Sequence, residues 1–193
     1  MARLKLRSRK EVVERSLALS EGLREALARI EWDDDETLVE TVWAGEGLGM
    51  LLWALELVQL PPYDRPFRTE HLVATALDAA VLRPVDEIER ARETARLWHW
   101  RARTAMLQAD GDVELPPEWQ SFDQLVGATA MRGFERGLLP RPLRGDFPAF
   151  GAVYRELSEE QQEEAHQIAW QRHRALNWLC GLGKSWDAVP TDT

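Results

Sequence analysis

Four histidines, His71, His99, His166 and His173, are the side chains of this sequence best suited to acid–base or metal chemistry, because imidazole changes charge near neutrality without help. Two of them sit in charged and aromatic stretches, Trp98-His99-Trp100-Arg101 and Gln171-Arg172-His173-Arg174. Metal ligation from a single helix wants donors three or four residues apart on one face. His166 and His173 are seven apart, about 10.5 Å along a helix axis, too far to close on one ion unaided. A centre built from His99, His173 and Glu46 would need three helices to converge. His99 borders an inward stripe beside Ala95 and Ala102, and His173 lies between Ala169 and Leu176, a spacing that favours hydrogen-bonded, buried imidazoles. No metal and no cofactor is expected. Cys180 falls in the last turn of a helix, where the dipole raises a thiol's pKa and opposes a nucleophilic role. No Gly-x-Ser-x-Gly elbow occurs.

The arginines around those histidines, Arg101, Arg103, Arg172 and Arg174, suit carboxylate partners, and Asp187 and Asp192 near the end of the chain are candidates. The expectation is that the tail over 184–193 folds back, with Trp186 against Trp178 or Trp100. A functional version keeps one arginine for an anionic ligand in an aromatic-walled pocket. Nine tryptophans make such a wall or an aromatic core equally affordable. The candidate groove comprises Glu46, Trp98, His99, Arg101, Arg103, Arg172, His173, Asn177, Trp178 and Asp187.

Net charge of −9 argues against a partner gripped by its phosphate backbone. The exception is a basic arm over 1–8 and just beyond, with Arg3, Lys5, Arg7, Arg9 and Lys10, which reads as a solvated, fraying segment. One cysteine excludes an internal disulfide and a cysteine-only zinc site. No apolar run approaches the ~20 residues that span a bilayer and no signal segment is recognisable, so a cytoplasmic protein without membrane or nucleic-acid partners is expected.

The elements that must position these groups read as helices. Ser8 with Glu11 is a capping box for a helix with Val12, Ser16, Leu19, Leu23, Leu27 and Ile30 inward, ending near Glu31. Asp33, Asp34, Asp35 and Glu36 read as the N-cap and first turn of a second helix through Leu38 and Trp43. Gly45, Gly47 and Gly49 predict a kinked junction before a separate buried helix over 50–57. Pro61, Pro62 and Pro66 break it, and Thr69 caps a short helix through Leu77. A long helix runs from Arg83 to Leu107 with Pro84 in its first turn. After a polar turn over 109–118, Ser121 caps a helix reaching Phe134, with Leu125, Val126, Ala128 and Met131 inward. Asp146 predicts a short helix through Phe147 and Tyr154. Ser158 with Gln161 is a second capping box, and the last helix closes at Gly181. With no sustained period-two alternation, the chain reads as one compact all-α domain over 1–193, of about seven to eight helices.

The pieces LLWALELVQLPPYD, LRPVDEIERARETARLWHWRART and QRHRALNWLCGLGKSWDAVPTDT resemble the bacterial domain-of-unknown-function family 4272, over roughly Arg15 to Thr193. The resemblance implies no agreed activity. That family's last helix usually carries Glu-Arg-His where this chain has Gln171-Arg172-His173, which counts against an acid at that position here. The reading is a non-catalytic binding or interaction module for an unknown protein or a small anionic ligand. The alternative is a hydrolase or metal-dependent enzyme using His99, His173 and Glu46.

Overall fold

A computed structural model describes residues 5–29, 36–111, 115 and 117–193. Its order is α1 (Arg9–Arg29), α2 (Glu36–Ala54), α3 (Thr69–Val73), α4 (Val85–Asp110), α5 (Phe122–Glu135), strands β1 (Pro148–Ala149) and β2 (Ala152–Val153), and α6 (Glu159–Leu179). The all-α class is therefore right, but the described residues form six α-helices rather than seven or eight. Arg3, the helix end near Glu31, the acidic run Asp33–Asp35, and Asp112, Val113, Glu114 and Pro116 of the polar turn lie outside the described residues.

Two segments account for the lower count. The stretch expected to be a kinked junction lies inside the continuous helix α2. Three glycines lower helix propensity by about 1 kcal/mol each, but here they admit neighbours that any side chain would displace. A Cβ at Gly49 would stand 2.3 Å from the Phe67 ring, and one at Gly47 would meet Trp186 at 3.1 Å. The second is the segment after Asp146, which is a tight hairpin followed by a 3-10 turn over Tyr154–Glu156. Phe150 and Gly151 at its tip both have positive φ, 51° and 73°, as a two-residue hairpin of primed type requires. Asp146 opens no α-helix; its carboxylate accepts from Arg101 and from the Phe147 and Arg155 N–H groups.

Capping explains the helix ends. Ser8 and Glu11 exchange hydrogen bonds at the start of α1, Ser121 accepts from Gln124 N–H, and Ser158 and Gln161 complete a reciprocal box. Gly181 terminates α6 at φ 78°. Thr69, by contrast, is the first residue of α3 and not its cap. On α5 the buried residues are Val126, Ala130 and Gly133, and Met131 faces outward, opposite to its expected side.

The last helix is central: it packs against both α4 and α2, and Ala165, Ala169 and Leu176 are among its buried residues. The basic arm does not fray over its described part. Arg7 N–H donates to Leu179 O, its Nε to Trp178 O and its Nη2 to Gly183 O. Leu179 O and Trp178 O belong to the last turn of α6 and Gly183 O to the segment after it, and a cation there also suits the dipole.

Two buried arginines pin loops to the helices. Arg172, fully buried, donates from Nε to Glu46 Oε2 at 2.8 Å, from Nη1 to Pro61 O and Pro62 O, and from Nη2 to Arg65 O. Glu46 Oε1 accepts Phe67 N–H at 2.5 Å, so the proline-rich loop is tied to both α2 and α6. Arg101 makes a two-pronged pair with Asp146 at 2.7 and 2.8 Å and lies over the Tyr154 ring. Arg172→Met should lower unfolding stability by about 3–5 kcal/mol, since it strands a buried carboxylate and three carbonyls. Chemical denaturation checks this, and the loop residues 61–67 should lose amide protection first.

Candidate functional site

Helix α6 carries four buried polar residues in its second half, Gln171, Arg172, His173 and Asn177. Arg172 turns toward α2, while His173 and Asn177 turn toward α4. There the atoms form a chain: Arg92 Nε to Asn177 Oδ1 at 2.6 Å, Asn177 Nδ2 to His173 Nε2 at 3.0 Å, and His173 Nδ1 to His99 Nδ1 at 3.1 Å. Asn177 Nδ2 also donates to Pro190 O at 2.8 Å.

The direction of every bond in this chain is determined. Arg92 Nε only donates and Pro190 O only accepts, so the amide orientation of Asn177 is unambiguous. Its NH2 faces His173 Nε2, which must then be a bare acceptor. A neutral His173 accordingly holds its proton on Nδ1 and donates it to His99 Nδ1. His99 in turn carries its proton on Nε2. Protonating either ring would set two N–H groups against each other. Consistently, His99 is pushed down to about 3, chiefly by burial and then by His173, His166 and Arg103, and His173 to about 4, by burial and then by Arg92 and Arg96.

His99 opens on its other side to a cleft of about 1020 Å³. Its walls come from α1 (Arg15, Leu19), α2 (Glu40, Thr41, Trp43, Ala44), α4 (His99, Arg103, Met106), α6 (Glu163, His166, Gln167, Trp170, Gln171, Arg174) and the tail (Trp186, Asp187, Thr191). His166 stacks on His99 with centroids 5.8 Å apart and planes 12° from parallel. Burial is also the main reason His166 titrates below its ordinary value.

Along one wall of this cleft and behind it runs a ladder in which guanidinium groups alternate with indoles; Arg15, Trp170, Arg174 and Trp186 line the cleft, whereas Arg7 and Trp178 lie behind it. Arg7 and Arg15 lie over Trp178, Arg15 also over Trp186, and Arg174 over both Trp186 and Trp170, each 4.5–5.9 Å from the ring centroid. The tail closes this wall. Trp186 meets Trp178 edge-on at 5.5 Å, Arg174 donates to Trp186 O, and Trp170 Nε1 donates to Thr191 Oγ1. Asp187 adds only an exposed pairing with Arg174 at 3.5 Å.

Of the ten residues expected to share a groove, His99, Arg103 and Asp187 line the cleft. His173 and Asn177 stand behind His99. Trp98 is buried between Tyr63, which it stacks on at 5.5 Å, and Phe147. Glu46, Arg101 and Arg172 are committed to their loops, and Trp178 sits beneath Arg7. Glu46 therefore serves the loop at Phe67, not the histidines. Among the described residues no three His, Cys, Asp or Glu side chains are gathered so as to hold a metal ion. Cys180 is buried, with its thiol pushed up to about 11 by burial.

Cleft residues left out of the expected groove include Arg15, Trp43, Trp170 and Gln171, and also His166, which the sequence brings forward only as a metal-ligand candidate. The spacing of His166, Trp170 and His173, at three and four residues, carried the signal for one α6 face. What could not be read was that α1 and α2 bring Arg15 and Trp43 opposite it. Comparison of the chain with protein-family models, with curated proteins and with solved structures finds no match. What the cleft does has to be read from its own chemistry.

The depressed histidines make a pH prediction. In the unfolded chain they protonate near 6.5, while in the folded protein His173 and His99 stay neutral down to about 4 and 3. Between those limits the unfolded state binds more protons, so stability is complete above about pH 6.5 and falls as pH drops. Each histidine contributes a slope of up to about 1.4 kcal/mol per pH unit. Urea titrations at pH 7.5, 6 and 5 should register the decline.

Proposed function

We propose that the protein is a non-catalytic binding module whose cleft between α1, α2, α4, α6 and the tail takes a small molecule with a flat aromatic part. The observation that carries this is the wall itself: Trp43, Trp170 and Trp186, with Leu19 and Met106, around an open volume of about 1020 Å³. Pockets for small ligands run to about 1,000 Å³ and are mostly apolar with few polar groups. Indole faces hold planar rings at little entropic cost and prefer offset or edge-on partners.

The charges fit the same reading. Arg15 and Arg174 are engaged by indole faces, whereas Arg103 has no hydrogen bond or ion pair among the described residues and remains for an anionic group. A small anion is thus a better partner than a polyanion, given the overall charge of −9. The resemblance to family 4272 is compatible with this role and adds no chemistry to it.

A hydrolytic or metal-dependent centre at His99, His173 and Glu46 draws no support from the geometry. Glu46 accepts from Arg172 and Phe67 N–H, and His99 and His173 are each other's partners through Nδ1. Neither imidazole has a free basic nitrogen near neutrality.

Calorimetric titration with 2-naphthalenemethanol, an uncharged flat probe, tests the reading. Saturable one-to-one binding is expected, weakened about tenfold in Trp43→Ala. Absence of heat in the wild type, or equal affinity in the variant, would contradict the assignment of this cleft.

A further inference from the structure

Resting on that reading, we infer that His99 is the specificity-determining residue of the cleft, a preset hydrogen-bond donor that selects ligands carrying an oxyanion, with Asn177 as the remote positioning residue that sets its polarity. The polarity comes from the bond directions alone. Arg92 and Pro190 orient the Asn177 amide, the amide makes His173 Nε2 an acceptor, and His173 Nδ1–H makes His99 Nδ1 an acceptor. The remaining His99 nitrogen, Nε2, bears the proton and has no protein partner among the described residues. His99 is only 2 % exposed yet lines the cleft, so a ligand atom reaching it leaves water behind and must accept that proton.

Arg103, one helical turn along α4, supplies the matching charge at the same end of the cleft and bears on both His99 and His166. A neutral N–H and a guanidinium together recognise a carboxylate or a phosphate ester oxygen. A cationic ligand would face these two donors, with the Glu163 carboxylate beside His166 and Gln171 Oε1 among the acceptors elsewhere in the lining. The arrangement differs from an ordinary histidine site, where the ring becomes a good anion partner only after taking up a proton. Here the N–H is present at neutral pH without any positive charge on the ring, so its contribution to affinity does not require His99 to take up a proton. The groups that face His99 are His166 and His173 from α6, with Glu163 beside His166, and Arg103 from its own helix.

Calorimetry with a set of matched naphthalene probes tests this. The expected order is 2-naphthoate and 2-naphthyl phosphate over 2-naphthalenemethanol, and the alcohol over 2-naphthylmethylammonium. The gap from carboxylate to alcohol should be about tenfold or more. Preference for carboxylate over phosphate ester, or the reverse, identifies which oxyanion the cleft favours. His99→Leu and Arg103→Gln should each remove most of the gap, while His99→Gln, which keeps a donor at the end of the side chain, should retain it. Asn177→Leu changes no lining side chain, though it gives up the bond to Pro190 O of the tail, and should shrink the gap by freeing the His173 proton. In His166→Phe, which keeps the stacked ring but removes its titration, naphthoate affinity should stay flat from pH 8 to 5.5. Affinity that climbs as pH falls in that variant, or an ammonium probe binding as well as the carboxylate, overturns the inference and leaves the cleft reading standing. If no probe binds, the cleft reading itself fails.

Discussion

A guanidinium group donates and never accepts, and that one asymmetry organises the interior of this protein. Arg172 spends its N–H groups on Glu46 and three loop carbonyls, Arg101 grips Asp146 with two prongs, and Arg7 ties the N-terminal arm to carbonyls of the last turn of α6 and of the segment after it. Arg92 does something further. By donating to Asn177 it imposes a direction on every hydrogen bond that follows, through His173 to His99. A different orientation anywhere along the chain would bring two donors or two acceptors together in a region closed to water, at a cost of about 1–3 kcal/mol per unmade bond.

Helix α6 is the place where these constraints meet. Consecutive residues on it serve different neighbours: Arg172 reaches α2 and the proline-rich loop, His173 reaches α4, and Arg174 reaches the tail through Trp186. This works because 3.6 residues per turn sends adjacent side chains about 100° apart. A helix packed on several sides therefore ties α2, α4 and the tail together. Ala165, Ala169 and Ala175 are buried along the same helix.

Local signals in the sequence carried much of the helical architecture and little of the site. Ser8, Ser121, Ser158 and Gly181 announced their caps because capping depends on residues within one turn. The all-α class followed from apolar periodicity. The glycines of α2 misled, because their backbone freedom is visible in sequence whereas the Phe67 and Trp186 rings that occupy the space are brought from 18 to 139 residues away. The hairpin after Asp146 was missed for a related reason: a short polar residue before apolar ones reads as a cap until its long-range partner, Arg101, is known. The basic arm appeared loose because the carbonyls that hold Arg7 belong to the far end of the chain. The histidines were recognised as buried and hydrogen-bonded, but their pairing with each other, and the cleft beyond them, depend on how α1, α2, α4 and α6 come together.

The account rests on the proton positions in the two paired imidazoles, and nitrogen-15 spectra of the histidine side chains at pH 7 read those directly. The expected pattern is His173 protonated on Nδ1 alone and His99 on Nε2 alone, with the two Nδ1 atoms coupled across their hydrogen bond. Spectra with the proton of His173 on Nε2, or with either ring doubly protonated at that pH, would contradict it.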